Sequence, residues 1–445
     1  DLASRAPRPR PRRAGRQRVA LLASSSALGG ALFACAAIQR PAFRIELQEA
    51  RMSTSTNSSP HRSHAFSSAQ NRLNHRHRWV VRRLSGGSFA GENATAPDYS
   101  VGVGAYALQN AGKNGNYTTT VGYEAARYAT GSYNTFVGYE AGKGGTTSAP
   151  YSSGQNNTAL GYGALTAFTT GTANTVMGYD AGKEITTGGN NVFIGYQAGE
   201  SSTDTSNTVS IGQGAGRDGD LGDYTVIMGV YAGLNSTGAS NVLLGYKAGF
   251  AIGATTSTVL IGSEAGDAIN STDANGTVAI GYKAGTAITN GQYNTIIGYE
   301  AGEALVDGDS STIVGYEAGT ALAVTGVRGS TLVGHEAGKA LTQGGNNTAI
   351  GRSADASGDE ATAVGYEAKA SGEDSSAFGK GANASGSEST AVGYEAKASA
   401  DDSSAFGYEA NAGHARSTAI GASANTTVCW SRRCVAGSSL SLLSL

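Results

Sequence analysis

Cysteine is nearly missing. Three occur in 445 residues, Cys35, Cys429 and Cys434, and none lies between the first and second. The long middle of the chain therefore owes nothing to disulfides or thiolate-bound metals. Proline is almost as scarce, since only Pro150 follows Pro97. Charged residues reach 15%, against about 25% in ordinary domains. Few prolines beside 66 glycines exclude a Pro/Gly linker, and also collagen, which needs glycine at every third position. Histidine is equally sparse beyond the N-terminal quarter, at His335 and His414 alone. With no paired-His spacing and no cysteine nearby, neither a catalytic nor a metal role is expected, so the chain is not read as an enzyme and calls for no cofactor.

Charge is unevenly distributed. Residues 1–95 hold 16 Arg, no Lys and 4 acids, whereas the remainder is net acidic. Val19–Ile38 is an uncharged stretch behind an Arg-rich flank, the pattern of a signal peptide or anchor. It is diluted by Ala, Ser and Gly, hence weak as a membrane helix, and it is the sole candidate for membrane association. Met52 is the first methionine, so residues 1–51 read either as a targeting leader or as untranslated sequence. Residues 52–99 have the Ser/Arg-rich composition of a disordered linker or a transit segment. Arg76, Arg78, Arg82 and Arg83 come without a groove-reading motif, so no nucleic-acid partner is expected.

What is abundant is repetition. "NTIIGYEAG" at 294–302 returns as "STIVGYEAG" at 311–319. The inner glycine of this phrase recurs twenty times, from Gly104 to Gly421, mostly 16–19 residues apart up to Gly351 and 14 apart thereafter. The residue before it is always apolar, the residue three after it is always Ala, and the residue three before it is Val, Thr or Ser. Apolar and polar columns two apart predict a short strand with one buried face. Ile297 with Ala301, and Val314 with Ala318, are accordingly expected inside, with Gly298 and Gly315 at a bend or at a close backbone approach. Seventeen residues cannot offset their own backbone entropy, roughly 1–2 kcal/mol each. Stacked coils solve this, and twenty rungs at about 4.8 Å give a rod roughly 95 Å long. Pro150, unable to donate to a ladder, is expected in a protruding loop. The expected organisation is a β-roll of 16–19-residue repeats over 100–350, one of 14-residue repeats over 351–427, and a short tail at 428–445.

"TAVGYEAKASGEDS" (362–375), "SAFGKGANASGSES" and "TAVGYEAKASADDS" resemble the 14-residue repeats of the YadA-like head of trimeric autotransporter adhesins. The longer "NTIIGYEAGEALVDGDS" form resembles a variant of the same unit. The resemblance covers about residues 100–427 and implies an all-β, left-handed parallel β-roll, three chains side by side, in a surface-exposed adhesive fibre. Neck, heptad stalk and membrane-anchor motifs are not recognised after Ala424. What carries over is the head fold, with a homotrimer as the default assembly and an extracellular or cell-surface location. Targeting to an organelle through a bipartite leader is the alternative.

Tyrosine fills the position after the glycine in twelve copies: Tyr123, Tyr139, Tyr162, Tyr179, Tyr196, Tyr246, Tyr282, Tyr299, Tyr316, Tyr366, Tyr394 and Tyr408. Two readings stay open. The rings pack along the rod or at a chain–chain seam with wet hydroxyls, or they form an exposed ladder that grips a glycan or matrix protein. "GYEAGK" (138–143), "GYDAGK" (178–183) and "GHEAGK" (334–339) imitate a phosphate loop but are one spacer short and lack the Ser/Thr that follows Lys. Lys247, Glu264, Lys283 and Glu300 alternate in sign over four rungs, a stripe worth tenths of a kcal/mol per pair. Glu300, Glu317 and Glu336 are expected to repel or to share a cation, and "RDGDLGD" (217–223) is a second acidic cluster. An adhesive fibre is the leading functional reading, a non-adhesive scaffold the second, and an ice-binding solenoid the third. The last is opposed by six Val copies, Val192 through Val278, in its Thr column.

Overall fold

The computed structural model describes residues 71–74, 78–81, 83–94, 99–111, 116–148, 151–322, 328–342, 345–426 and 434–437. The chain divides after Pro60, and all of these belong to the second unit, His61–Leu445. The leader and Pro150 lie outside the described residues. Within the segment read as linker, Asn71–Asn74 and Arg78–Val81 pair antiparallel.

Beyond that hairpin the unit is a parallel β-solenoid. Each repeat contributes one strand ending just before its reference glycine, such as Thr295–Ile297 and Thr312–Val314. Successive strands pair parallel and in register, with Thr295 opposite Thr312, Ile296 opposite Ile313 and Ile297 opposite Val314. The ladder outruns the twenty copies at both ends: Arg83–Gly86 pairs with Ser100–Val103, and Cys434–Gly437 pairs with Ser417–Ile420. Gly87 repeats the reference conformation under Gly104. Sequence columns missed it because Gly86 stands where an apolar residue was required. Among the described residues the one helical element is a 3₁₀ turn, Thr272–Ala274.

Two constraints fix the reference glycine, and both operate at once. Its φ lies between +119° and +146° in all twenty copies, a region closed to residues with a Cβ. A Cβ on Gly298 would also sit 2.1 Å from the carbonyl oxygen of Gly315 on the next rung. Backbone thus lies directly on backbone, with the Gly298 N–H donating to Ile280 O at 2.8 Å and the Glu300 N–H to Tyr282 O at 2.8 Å.

The interior reverses one expectation. Ile297 is 37% exposed and Val314 half-buried, whereas Ile296 and Ile313 are fully buried. Throughout the twenty copies the residue two before the glycine points inward, and the apolar residue immediately before it points out. Ala301 and Ala318 are buried as expected. The inward column escaped notice because it holds Gly102, Thr120, Ser210, Ala and large apolar residues alike. Volume compensation explains the mixture. Where Phe136 fills the core, the residue four past the glycine is Gly142, whose Cβ would lie 2.4 Å from the Phe136 ring. Where Gly102 or Ala159 stands inside, that later position holds buried Leu108 or Leu165 instead.

Coil length follows the same rule. Wide coils enclose pairs such as Ile296 with Leu305 and Ile313 with Leu322. The 14-residue coils enclose no apolar side chain larger than alanine, for example Ala363, Ala368 and Ala370. They are narrow enough to form a second parallel sheet from Lys369–Ala370, Asn383–Ala384, Lys397–Ala398 and Asn411–Ala412.

One corner is closed by buried amides. Asn134, Asn157, Asn174 and Asn191 occupy consecutive rungs four residues before the glycine and are fully buried. Asn174 Oδ1 accepts the Asn191 N–H at 3.1 Å, and its Nδ2 donates to Gly188 O at 2.9 Å. Each amide thereby satisfies backbone groups that a tight corner leaves unpaired.

Replacing Gly298 with Ala is expected to cost more than about 1–3 kcal/mol, because strain and collision add. Coils interact chiefly with their neighbours. Amide hydrogen exchange should therefore accelerate at the rungs of Gly281, Gly298 and Gly315 and stay unchanged near Gly178. Uniform acceleration, or none, contradicts nearest-neighbour stacking.

Candidate functional site

Three surface columns run along the rod, and each is set by the bend at the reference glycine. The first is tyrosine. Tyr123, Tyr139, Tyr162, Tyr179 and Tyr196 stack face to face on consecutive rungs, with centroids 5.1, 4.8, 5.0 and 5.1 Å apart. Tyr282, Tyr299 and Tyr316 form a second run, which His335 continues at 5.1 Å. Tyr394 and Tyr408 form a third. Tyr246 and Tyr366 stand outside these runs, Tyr366 with the Arg352 guanidinium 4.8 Å from its centroid. All twelve rings are exposed by 37–53%. Inside a run each face is covered by the next ring, so a ligand meets edges and hydroxyls. Ring faces are free only where a run breaks. Hydrogen bonding to Glu300 pushes the Tyr299 phenol above its ordinary pKa, and Glu317 and Glu409 do the same to Tyr316 and Tyr408.

The second column is charged. The four residues of alternating sign, Lys247, Glu264, Lys283 and Glu300, form no ion pairs with one another; Lys283 reaches Glu303 instead, at 3.2 Å. Of the like-charged neighbours Glu300, Glu317 and Glu336, the last two share a cation, and it is a lysine. Lys339 bridges Glu336 at 2.7 Å and Glu317 of the preceding rung. Lys143 bridges Glu124 at 2.7 Å and Glu140 at 3.2 Å. Lys183 joins Asp180 and Glu200 at 3.1 and 3.6 Å. These three lysines end the three phrases that imitate a phosphate loop. Their ammonium groups are already held by carboxylates, and the spacing serves a clamp between rungs. Hydrogen bonds from Lys339 hold Glu317 and Glu336 below the usual carboxylate range.

The "RDGDLGD" cluster is similarly engaged. Arg217 pairs with Asp218 at 2.6 Å, Asp220 accepts from Thr203, and Asp223 accepts the Ser206 N–H at 2.7 Å. Among the described residues no group of three or more His, Cys, Asp or Glu is arranged to hold a metal. A groove of about 720 Å³ opens where the coils narrow, lined by Lys339, Ala340, Asp355, Glu367, Lys369 and Asn383.

The third column was not anticipated as a surface. It is the apolar residue before each glycine. None of the twenty is buried, and Val103, Leu160, Met177, Met228, Phe378 and Ile420 are exposed by 40–50%. The signal was visible in the sequence as perfect apolar uniformity, which is what a flat, unbroken face requires.

No helix among the described residues is long and apolar enough to cross a membrane. Residues 344–368, 370–396 and 398–424 each match the family model described as "YadA head domain repeat (2 copies)". These matches cover the 14-residue coils, so the C-terminal part of the ladder consists of YadA head repeats in an adhesin-like, repetitive β-roll. The same parallel register continues from Thr348–Ile350 back into the wide coils through Thr331–Val333. No curated protein matches the chain.

Removing the clamp with Lys339→Ala should raise the carboxyl titrations of Glu317 and Glu336, read by ¹³C NMR. Depressed carboxylate pKa values stabilise the fold above the unfolded-state values, and that contribution fades as pH falls through the folded ones. The variant should therefore lose part of the acid dependence of its local opening between these rungs. Unchanged titrations in Lys339→Ala would show that the clamp is not formed in solution.

Proposed function

We propose that the protein is a structural and adhesive, non-enzymatic fibre presented at the cell surface or outside the cell, assembled as a homotrimer. The observation that carries this reading is the continuous apolar face formed by the residues preceding the glycines. Monomeric proteins rarely expose more than a few hundred Å² of contiguous apolar surface, about 300–600 Å² at most, and a stripe running through twenty rungs asks for a cover of matching length. A second and third copy of the same chain present the same stripe at the same rung spacing. The YadA head repeats support this choice of assembly.

Adhesion then works by repetition. Within each run tyrosine edges and hydroxyls recur about every 4.8 Å, so weak contacts to a glycan or a matrix protein add through effective concentration. The scaffold reading uses the same assembly without a ligand.

Light scattering on the full chain should give three chain masses. Substituting Ile280→Asp and Ile297→Asp places charges on the face without entering the core, so single chains that keep their β circular dichroism are expected. A wild-type mass of one chain defeats the trimer. Trimers that bind neither immobilised matrix protein nor glycan would favour the scaffold.

A further inference from the structure

The tyrosine ladder has three places where a single rung interrupts two aromatic rings. Arg352 separates His335 from Tyr366, Lys380 separates Tyr366 from Tyr394, and Ser263 separates Tyr246 from Tyr282. The first two gaps are filled by the chain itself. The Arg352 guanidinium lies 4.8 Å from the Tyr366 centroid, and the Lys380 ammonium lies 5.7 and 5.3 Å from Tyr366 and Tyr394. Ser263 is too short to fill the third.

The backbone makes this gap one ring wide. Val242–Leu244, Val259–Ile261 and Val278–Ile280 pair in register. The Glu264 N–H donates to Tyr246 O at 2.8 Å and the Lys283 N–H to Ser263 O at 3.0 Å, which stacks the three positions directly. With rings elsewhere in the column 4.8–5.2 Å apart on successive rungs, the space over Ser263 is that of the absent tyrosine. Lys247 does not occupy it in the manner of Lys380, because its ammonium approaches Tyr246 and Phe250, at 5.5 and 5.3 Å, and not Tyr282. Tyr246 and Tyr282 are 47% and 39% exposed, the range also found for the stacked rings of the runs.

We propose that this slot over Ser263 binds a neutral aromatic ring, the side chain of a tyrosine or phenylalanine presented by a partner protein, sandwiched between Tyr246 and Tyr282. The ladder shows the fit: Tyr139, Tyr162, Tyr179 and Tyr299 each sit between two rings at this spacing. Local charge selects against a cation. The two filled gaps are flanked one position further on by Glu336, Glu367 and Glu395, whereas the Ser263 gap is flanked by Lys247 and Lys283. The Lys283 ammonium already lies 5.6 Å from Tyr282 and is held by Glu303. Glu264, on the slot's own rung, and Asp267 balance these lysines, so an uncharged ring is preferred over either ion. The site stands whether or not the fibre is adhesive.

The test uses the full chain in its assembled form and p-cresol as the ring. Saturation-transfer NMR should show one saturable site per chain. Ser263→Tyr completes the ladder with the residue used on twelve other rungs, so it folds, and it should weaken that site by at least about tenfold. Ser263→Ala should retain it. Tyramine, the cationic analogue, should bind more weakly than p-cresol, and methyl glucoside should not compete. The proposal is overturned by a wild type without a saturable site, by undiminished binding in Ser263→Tyr, by loss of binding in Ser263→Ala, by competition from methyl glucoside, or by tyramine binding more tightly than p-cresol.

Discussion

Everything in this molecule depends on one close approach: the peptide of each reference glycine lies against the peptide of the next. A Cβ would fall 2.1–2.5 Å from the neighbouring carbonyl oxygen along the Gly104–Gly407 column. Once this contact fixes the rung-to-rung register, the rest follows. Coil length is free to vary on the far side of the loop, and it does, from wide coils with Ile or Leu pairs to 14-residue coils lined by alanine. Side chains leaving the bend are carried into straight columns, so a single favourable residue becomes a ladder of them.

Columns also explain why the surface is organised as it is. Rings stack because their backbones do. Lysines five residues past the glycine reach carboxylates on two successive rungs because that distance repeats. Such contacts are individually weak at an exposed site, yet their repetition gives the rod a patterned surface that no single copy possesses. On the proposed reading, function belongs to a column, or to a break in one, as over Ser263.

The solenoid, its repeat spacing, the buried alanines and the double reason for the glycine were legible in the sequence. So was the tyrosine column, including rings stacked along the rod, the first of the two readings of that column. The facing of the strand was not legible. Uniform hydrophobicity at Ile297 and its equivalents looked like a core, while the true core column, Ile296 and its equivalents, looked irregular. An interior tolerates Gly102 opposite Leu108 and Phe136 opposite Gly142 because only summed volume matters. An outer face shared between rungs has no such partner, and it keeps one kind of residue throughout. The role of Asn174 and its neighbours was missed for a related reason: Asn, Ser and Thr alternate there, and composition alone does not separate a buried corner amide from a turn residue.

The central claim is that Ile296 faces the core and Ile297 faces another copy of the chain. The scarcity of cysteine makes it directly measurable. In a chain with Cys35, Cys429 and Cys434 changed to Ser, a single Ile296→Cys or Ile297→Cys is titrated with a thiol reagent. The account predicts an unreactive thiol at 296 in any folded state. At 297 it predicts protection in the assembled protein and free reactivity once charged substitutions on the same face have separated the chains. A reactive thiol at 296, or one at 297 that reacts freely in the assembled wild-type background, would contradict it.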